Sequence, residues 1–256
     1  MKKAVMFVVG LSVFSFCSII ALGEDSAPDQ TPTAGTSHRQ EVITAENGKY
    51  KITIDTSQTP ELTRWAHEKL APAVQEWYPK IVKMLPSPGY KAPRSVTIGF
   101  YKMQGSAHTV GTCVSCGFDF FRKCVKNKKR AIGIIIHELV HVVQQPSYAR
   151  HHVPHPNDFP LWLTEGTADY VRFYKYDLTS HETDISKEEA SRVKCSDGYR
   201  KTANFLNWVS KKYDKDIVDA IAVAQRAGNY TEDLWKKRTG HTIQELNDEW
   251  KADLAK

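Results

Sequence analysis

The chain lacks a second C-x-x-C to match Cys113-Val-Ser-Cys116, a basic face interleaved with aromatics, and any dominant block of like charge. Beyond Leu22 it also lacks an apolar run long enough to span a membrane. Each absence excludes a class of function. A lone C-x-x-C with no βαβ pattern around it argues against a thioredoxin-like redox site. With no aromatics beside it, the densest basic run (Lys126, Lys128, Lys129 and Arg130) reads as a solvated helix entry, so no nucleic-acid partner is expected. The formal net charge is +6, falling to +4 if Lys2 and Lys3 leave with a leader, which is only mildly basic.

What is present begins with such a leader. Met1-Lys2-Lys3 precedes an apolar stretch from Ala4 to Leu22, and Ala21-Leu22-Gly23 puts small residues at the −3 and −1 positions of a cleavage site. Residues 1–23 therefore read as a secretory signal peptide cut before Glu24, giving a secreted or periplasmic protein. An uncleaved membrane anchor is the alternative, because the run approaches spanning length. A lipoprotein is disfavoured, since Phe16 stands before Cys17 where a small residue belongs. Residues 24–46 are rich in Ser, Thr, Pro, Asp and Gln and read as a disordered spacer. Residues 47–256 are then one globular domain.

Within that domain, Lys49 to Asp55 alternates with period two, placing Tyr50, Ile52 and Ile54 on one face of a strand. Pro60 opens a helix whose Leu62, Trp65, Ala66, Leu70, Val74, Trp77, Ile81 and Met84 recur at helical spacing, until Pro86, Pro88 and Gly89 end it. Ser95–Tyr101 is a second strand, and a third is expected between Ala107 and Phe121. The rest reads helical, over about 130–146, 160–176, 197–213, 214–226, 231–238 and 242–254. A short N-terminal sheet followed by helices is an α+β arrangement.

The chemistry concentrates in Ala131-Ile-Gly-Ile-Ile-Ile-His137-Glu138-Leu-Val-His141-Val-Val-Gln144, an H-E-x-x-H inside an almost unbroken apolar run. On a helix, His137 and His141 stack one turn apart and aim at one point. Glu138 lies about 100° further round, able to reach a metal-held water without being a ligand. Two imidazoles holding Zn²⁺ and a carboxylate acting as base is the pattern of a metalloprotease. The bland alternative is a core helix with satisfied polar groups. It would bury three polar side chains among aliphatics, which is costly unless something pairs them.

A second segment supplies the missing ligand. Phe159-Pro-Leu-Trp162-Leu-Thr-Glu165-Gly-Thr-Ala-Asp169-Tyr-Val-Arg172 puts Glu165 and Asp169 on one helical face. Glu165 would complete a two-histidine, one-glutamate site with its fourth position open. Asp169 would accept the second ring N–H of a ligand histidine and fix its tautomer. Alone, the pair would read as solvated acids.

These two segments, with Asp197-Gly198-Tyr199-Arg-Lys-Thr202-Ala203-Asn-Phe205-Leu206, resemble the basic secretory protein family, zinc-peptidase-like proteins of plants and bacteria. The similarity runs from about Lys49 to the C-terminus. The zinc motif is common to many peptidases; the E-G-x-A-D-Y-V-R continuation and the Tyr199 helix narrow it to this family. The resemblance implies a zincin-like fold of the gluzincin type, a Zn²⁺ cofactor, and a monomer acting on peptide or protein substrates. It also makes Tyr199 a candidate catalytic donor to the carbonyl oxygen that gains charge in peptide hydrolysis. A core tyrosine bonded to backbone is the competing reading. Tyr170 and Arg172 either contact substrate or close the helix face. A rival for the whole chain is a non-catalytic defence or binding module that keeps the fold.

Four cysteines remain beyond the leader: Cys113, Cys116, Cys124 and Cys195. An even number in an exported chain predicts disulfides, of unspecified connectivity, ahead of a structural metal held by four thiolates. His151, His152 and His155 fall between the two ligand segments and read as a surface loop.

Overall fold

The computed structural model describes residues 39–144 and 160–256. The expected leader and the His151, His152 and His155 cluster lie outside the described residues.

A five-stranded mixed sheet forms the N-terminal part, in the order β1-β2-β3-β5-β4. Strand β2 (Tyr50–Asp55) buries Tyr50, Ile52 and Ile54, as the alternation predicts. It pairs antiparallel with β1 (Gln40–Ala45) and parallel with β3 (Ser95–Tyr101). The β2–β3 connection is a helical run from Pro60 that ends in α1 (Ala71–Met84) and packs on β1 and β2.

Strand β1 corrects the expected spacer, because ordered structure reaches back to Gln40. Its sequence, Gln-Glu-Val-Ile-Thr-Ala, is polar on the outward face and leaves Val42 exposed. A half-polar edge strand offers little apolar signal in sequence.

The expected third strand is two. β4 (Ala107–Val110) and β5 (Cys113–Gly117) form a tight antiparallel hairpin in which Val110 pairs with Cys113 and Gly111 takes a φ of +59°. β5 inserts beside β3 in parallel register, which leaves β4 as the outer edge. A short helix, α2 (Phe118–Cys124), follows at once.

Helix α3 (Lys128–Gln144) is buried along its whole length from Ala131 onward. A helix apolar on every side needs neighbours all round, and it has them. β4, β5 and α1 pack against it, as does α4 (Leu161–Val171), extended by a π-turn over Arg172–Tyr176. Its C-terminal carbonyl at Val143 accepts from Tyr90 Oη at 2.7 Å and from Arg226 at 3.2 Å. Together they satisfy a carbonyl of the last turn that has no partner within the helix, and the cation interacts favourably with the helix dipole.

The remaining helices are α5 (Lys187–Ala190), α6 (Tyr199–Lys212), α7 (Ile217–Ala227), α8 (Asp233–Thr239) and α9 (Ile243–Leu254). Phe205 of α6 sits among Trp208, Trp235 and Trp250, closing a second aromatic part of the core. The architecture is α+β with a mostly helical C-terminal part.

The disulfide expectation is corrected: Cys113, Cys116, Cys124 and Cys195 are free thiols. Cys113 and Cys116 stand three residues apart in one strand, about 10 Å at ~3.3 Å per residue, whereas a disulfide needs Cα atoms within about 7 Å. Their side chains also point to opposite faces, Cys113 exposed and Cys116 buried. Burial pushes the Cys116 thiol well up and the Cys195 thiol up to about 12, so both are poor nucleophiles at neutral pH.

Candidate metal centre

Helices α3 and α4 bring three side chains to one point. His137 Nε2 and His141 Nε2 are 3.1 Å apart, and Glu165 Oε2 lies 3.2 Å from the first and 3.3 Å from the second. Among the described residues this is the one group of histidine, cysteine and carboxylate side chains with the spacing to hold a metal ion.

The far side of each imidazole decides what these atoms are. Asp169 Oδ1 accepts from His137 Nδ1 at 2.7 Å. The outer-shell role expected of Asp169 therefore falls on His137. For His141 the partner is Gln144, whose Oε1 lies 2.8 Å from Nδ1. The Gln144 amide cannot be reversed, because its NH₂ donates to the Thr164 carbonyl at 3.1 Å. Both Nδ1 atoms therefore carry protons, and both Nε2 atoms present lone pairs inward. Two lone pairs and a carboxylate oxygen facing one another at 3.1–3.3 Å repel unless a proton or a cation lies between them. A tetrahedron with metal–ligand bonds of about 2.0–2.1 Å has edges of about 3.3–3.4 Å. The donor set fits a small dication on chemistry and on spacing.

Without a metal, protons fill that role. Burial pushes the His137 imidazolium down, but its hydrogen bonds with Asp169 and Glu165 outweigh this and lift it to about 9. Burial raises the Glu165 carboxyl, and the hydrogen bonds from His137 and His141 reverse this, holding it at about 2.

Glu138 is held from the sheet edge, within the same cleft as the three donors. The Thr109 hydroxyl of β4 is 2.7 Å from Glu138 Oε2 and 3.0 Å from its carbonyl. The single hydroxyl proton goes to the nearer carboxylate. Tyr199 opens α6, with its ring parallel to that of His137 at a centroid distance of 6.2 Å and half its surface exposed. Its φ of +44° is in the left-handed region that non-glycine residues avoid. Strain of this kind costs on the order of 1–3 kcal/mol and collects at functional sites. Burial, then the charges of Glu165, Asp169 and Glu138, push the Tyr199 phenol up, so it stays a hydrogen-bond donor at neutral pH.

What lets α6 bring Tyr199 in is Gly166, the residue after Glu165. A Cβ there would meet Thr202 Cγ2 at 2.1 Å. Thr202 in turn holds the approach to α6, accepting from Gly198 N at 3.0 Å and donating to the Cys195 carbonyl at 2.6 Å.

These groups line one cleft of about 730 Å³, walled also by β4, Leu161 and the start of α6. His137, Glu138, His141, Glu165, Asp169 and Tyr199 all meet there. Two partners here, Thr109 and Gln144, are not among the residues the sequence points to, whereas Arg172 is, as a candidate substrate contact. Thr109 has no local signal, because its pairing with Glu138 spans 29 residues. Gln144 could have been found, since it stands one turn beyond His141 on the same helix face. Arg172, three residues past Asp169, lies beside it at 3.9 Å and faces the same cleft.

Residues 49–250 match the model of a family described as peptidase of plants and bacteria. Comparison with curated proteins gave no match.

Proposed function

The chain belongs to the basic secretory protein family, peptidases of plants and bacteria, and on that premise we propose that it is an exported zinc metallopeptidase of zincin-like fold. The observation that carries this reading is the convergence of His137, His141 and Glu165 with both Nδ1 protons already committed to Asp169 and Gln144. Imidazole and carboxylate donors at tetrahedral spacing suit Zn²⁺. Bound there, Zn²⁺ would supply Lewis-acid polarisation of the scissile carbonyl and acidification of the attacking water.

The protein's own groups do the rest. Glu138 takes a proton from the attacking water and passes it to the departing amine. Thr109 holds that carboxylate in place from the sheet edge. Tyr199 donates to the oxygen that gains negative charge, and its proton is secure at neutral pH. Among the described residues strand β4 is the outer edge of the sheet, and it lines the cleft, so an extended peptide can be held as an added strand. This accords with a peptide or protein substrate.

Export rests on the leader in residues 1–23, and a mature N-terminus at Glu24 in the medium or periplasm is its test. Among the described residues no helix is long and apolar enough to cross a membrane. Activity is tested with casein. The native chain should cleave it, a chelator should stop the cleavage, and Glu138→Gln should retain the metal and cleave nothing. Casein cleavage by Glu138→Gln at the native rate would sink the mechanism.

A further inference from the structure

The charged side chains that line the cleft are nearly all matched. Glu138 has Thr109, Glu165 has the two histidines, and Asp169 has His137. Asp197 accepts from the Lys194 amide at 2.9 Å, Lys201 pairs with Glu189 at 2.8 Å, and Arg200 pairs with Glu182 at 2.7 Å. Arg172 is the exception. Its side chain is only 11% exposed, yet among the described residues no acceptor lies within hydrogen-bonding distance of its guanidinium. The nearest carboxylate oxygen, Asp169 Oδ1 at 3.9 Å, is the atom already engaged by His137 at 2.7 Å.

The side chain is held by packing. It lies across Gly133, one turn before His137, where an added Cβ would meet Arg172 Nε at 3.3 Å. Its guanidinium carbon sits 4.4 Å from the centroid of the Phe173 ring. The surroundings do not neutralise it: Arg130 and Arg200 share the single carboxylate of Glu182, at 4.0 and 2.7 Å. Three guanidinium groups thus face one carboxylate that is not committed to the metal centre. A guanidinium cannot shed its proton to escape burial, and none of its nitrogens is among the fully buried, unpartnered polar atoms, so its donors open on the cleft, where a ligand can meet them. Its rigid fork matches a carboxylate, with two parallel hydrogen bonds.

We propose that Arg172, at the end of the cleft beside Asp169, is a specificity-determining residue that binds a carboxylate of the peptide substrate, so that the enzyme prefers peptides carrying one. This rests on the peptidase reading of the cleft. The carboxylate comes either from an Asp or Glu side chain or from the peptide's C-terminus.

Binding, measured apart from turnover, tests this. The full chain carrying Glu138→Gln, loaded with zinc, is titrated against fluorescent ten-residue peptides by anisotropy. The set has one glutamate walked along an uncharged sequence, the same sequence with glutamine throughout, and each peptide as free acid and as amide. We expect about tenfold tighter binding, in at least one register or in the free acid, than for the peptide with no carboxylate. Which arm responds identifies the source. Adding Arg172→Gln should erase the preference while leaving the uncharged amide within about twofold, and Arg172→Lys should keep part of it. Equal binding of all peptides by the Glu138→Gln chain would overturn the proposal even if the Arg172 variants do not fold. So would an Arg172→Gln loss that is the same for charged and uncharged peptides, as expected of a mere prop for Asp169. Cleavage by the native chain is read alongside. A carboxylate preference without cleavage removes the peptidase reading and keeps the anchor, cleavage without preference removes the anchor alone, and no binding of any peptide overturns it too.

Discussion

Gln144 fixes the tautomer of His141: its amide oxygen sits 2.8 Å from Nδ1, and its NH₂ is tied to the Thr164 carbonyl at 3.1 Å. The same side chain therefore turns a ligand's lone pair inward and joins the start of α4 to the end of α3. Replacing Gln144 with leucine should leave the fold largely in place but weaken metal affinity about 10–100-fold. Competition with a chromophoric chelator would measure this, and unchanged affinity would refute the role.

Gly166 governs the approach of α6 to the ligand helix. Gly166→Ala puts a methyl 2.1 Å from Thr202 Cγ2 and 2.5 Å from Thr202 Cβ, on a well-packed contact. Overpacking of this kind costs about 1–3 kcal/mol or more. A lowered thermal midpoint is expected, with partial recovery in the Gly166→Ala, Thr202→Ser double variant, which loses Cγ2 but keeps the hydroxyl. A Gly166→Ala chain as stable as the parent would mean that the helices are not held this close.

Tyr199 lines the cleft beside His137, and the proposed function gives it a transition-state role. Tyr199→Phe should lower kcat by about 10²–10³-fold, as loss of one oxyanion donor does, with KM and metal content little changed. A rise in KM alone would instead make Tyr199 a substrate-packing residue.

The pH dependence follows from His137. In the metal-free chain its imidazolium is raised from 6.5 to about 9. The raised value stabilises the fold fully below pH 6.5, and that contribution fades as pH climbs through about 9. A metal ion must displace the same proton. Zinc uptake at neutral pH should therefore release about one proton per chain, and apparent affinity should fall about tenfold for each unit of acidification below 9. Titration of zinc into weakly buffered metal-free protein with a pH indicator would show this. Uptake with no proton release would contradict the assigned protonation.

Much of the fold and of the candidate site is legible in the sequence. The apolar run around His137 and His141 dictates a helix buried on all sides, and the period-two pattern at Tyr50, Ile52 and Ile54 dictates an inward strand face. The Glu165–Asp169 spacing puts a candidate metal ligand and a tautomer-fixing carboxylate on one face. What stayed hidden depends on contacts distant in sequence or on backbone detail. Nothing near Thr109 announces its bond to Glu138, and nothing near Tyr199 announces a positive φ. The cysteines misled through their even number, because counting ignores that Cys113 and Cys116 occupy opposite faces of one strand.

The account stands or falls on metal content measured together with cleavage. It predicts about one zinc per chain in the native protein and in Glu138→Gln. It also predicts strongly reduced zinc in His141→Ala and Glu165→Ala, with chelator-sensitive casein cleavage in the native protein alone. Full zinc content in Glu165→Ala, or a native chain that carries zinc yet cleaves no protein substrate, would contradict it.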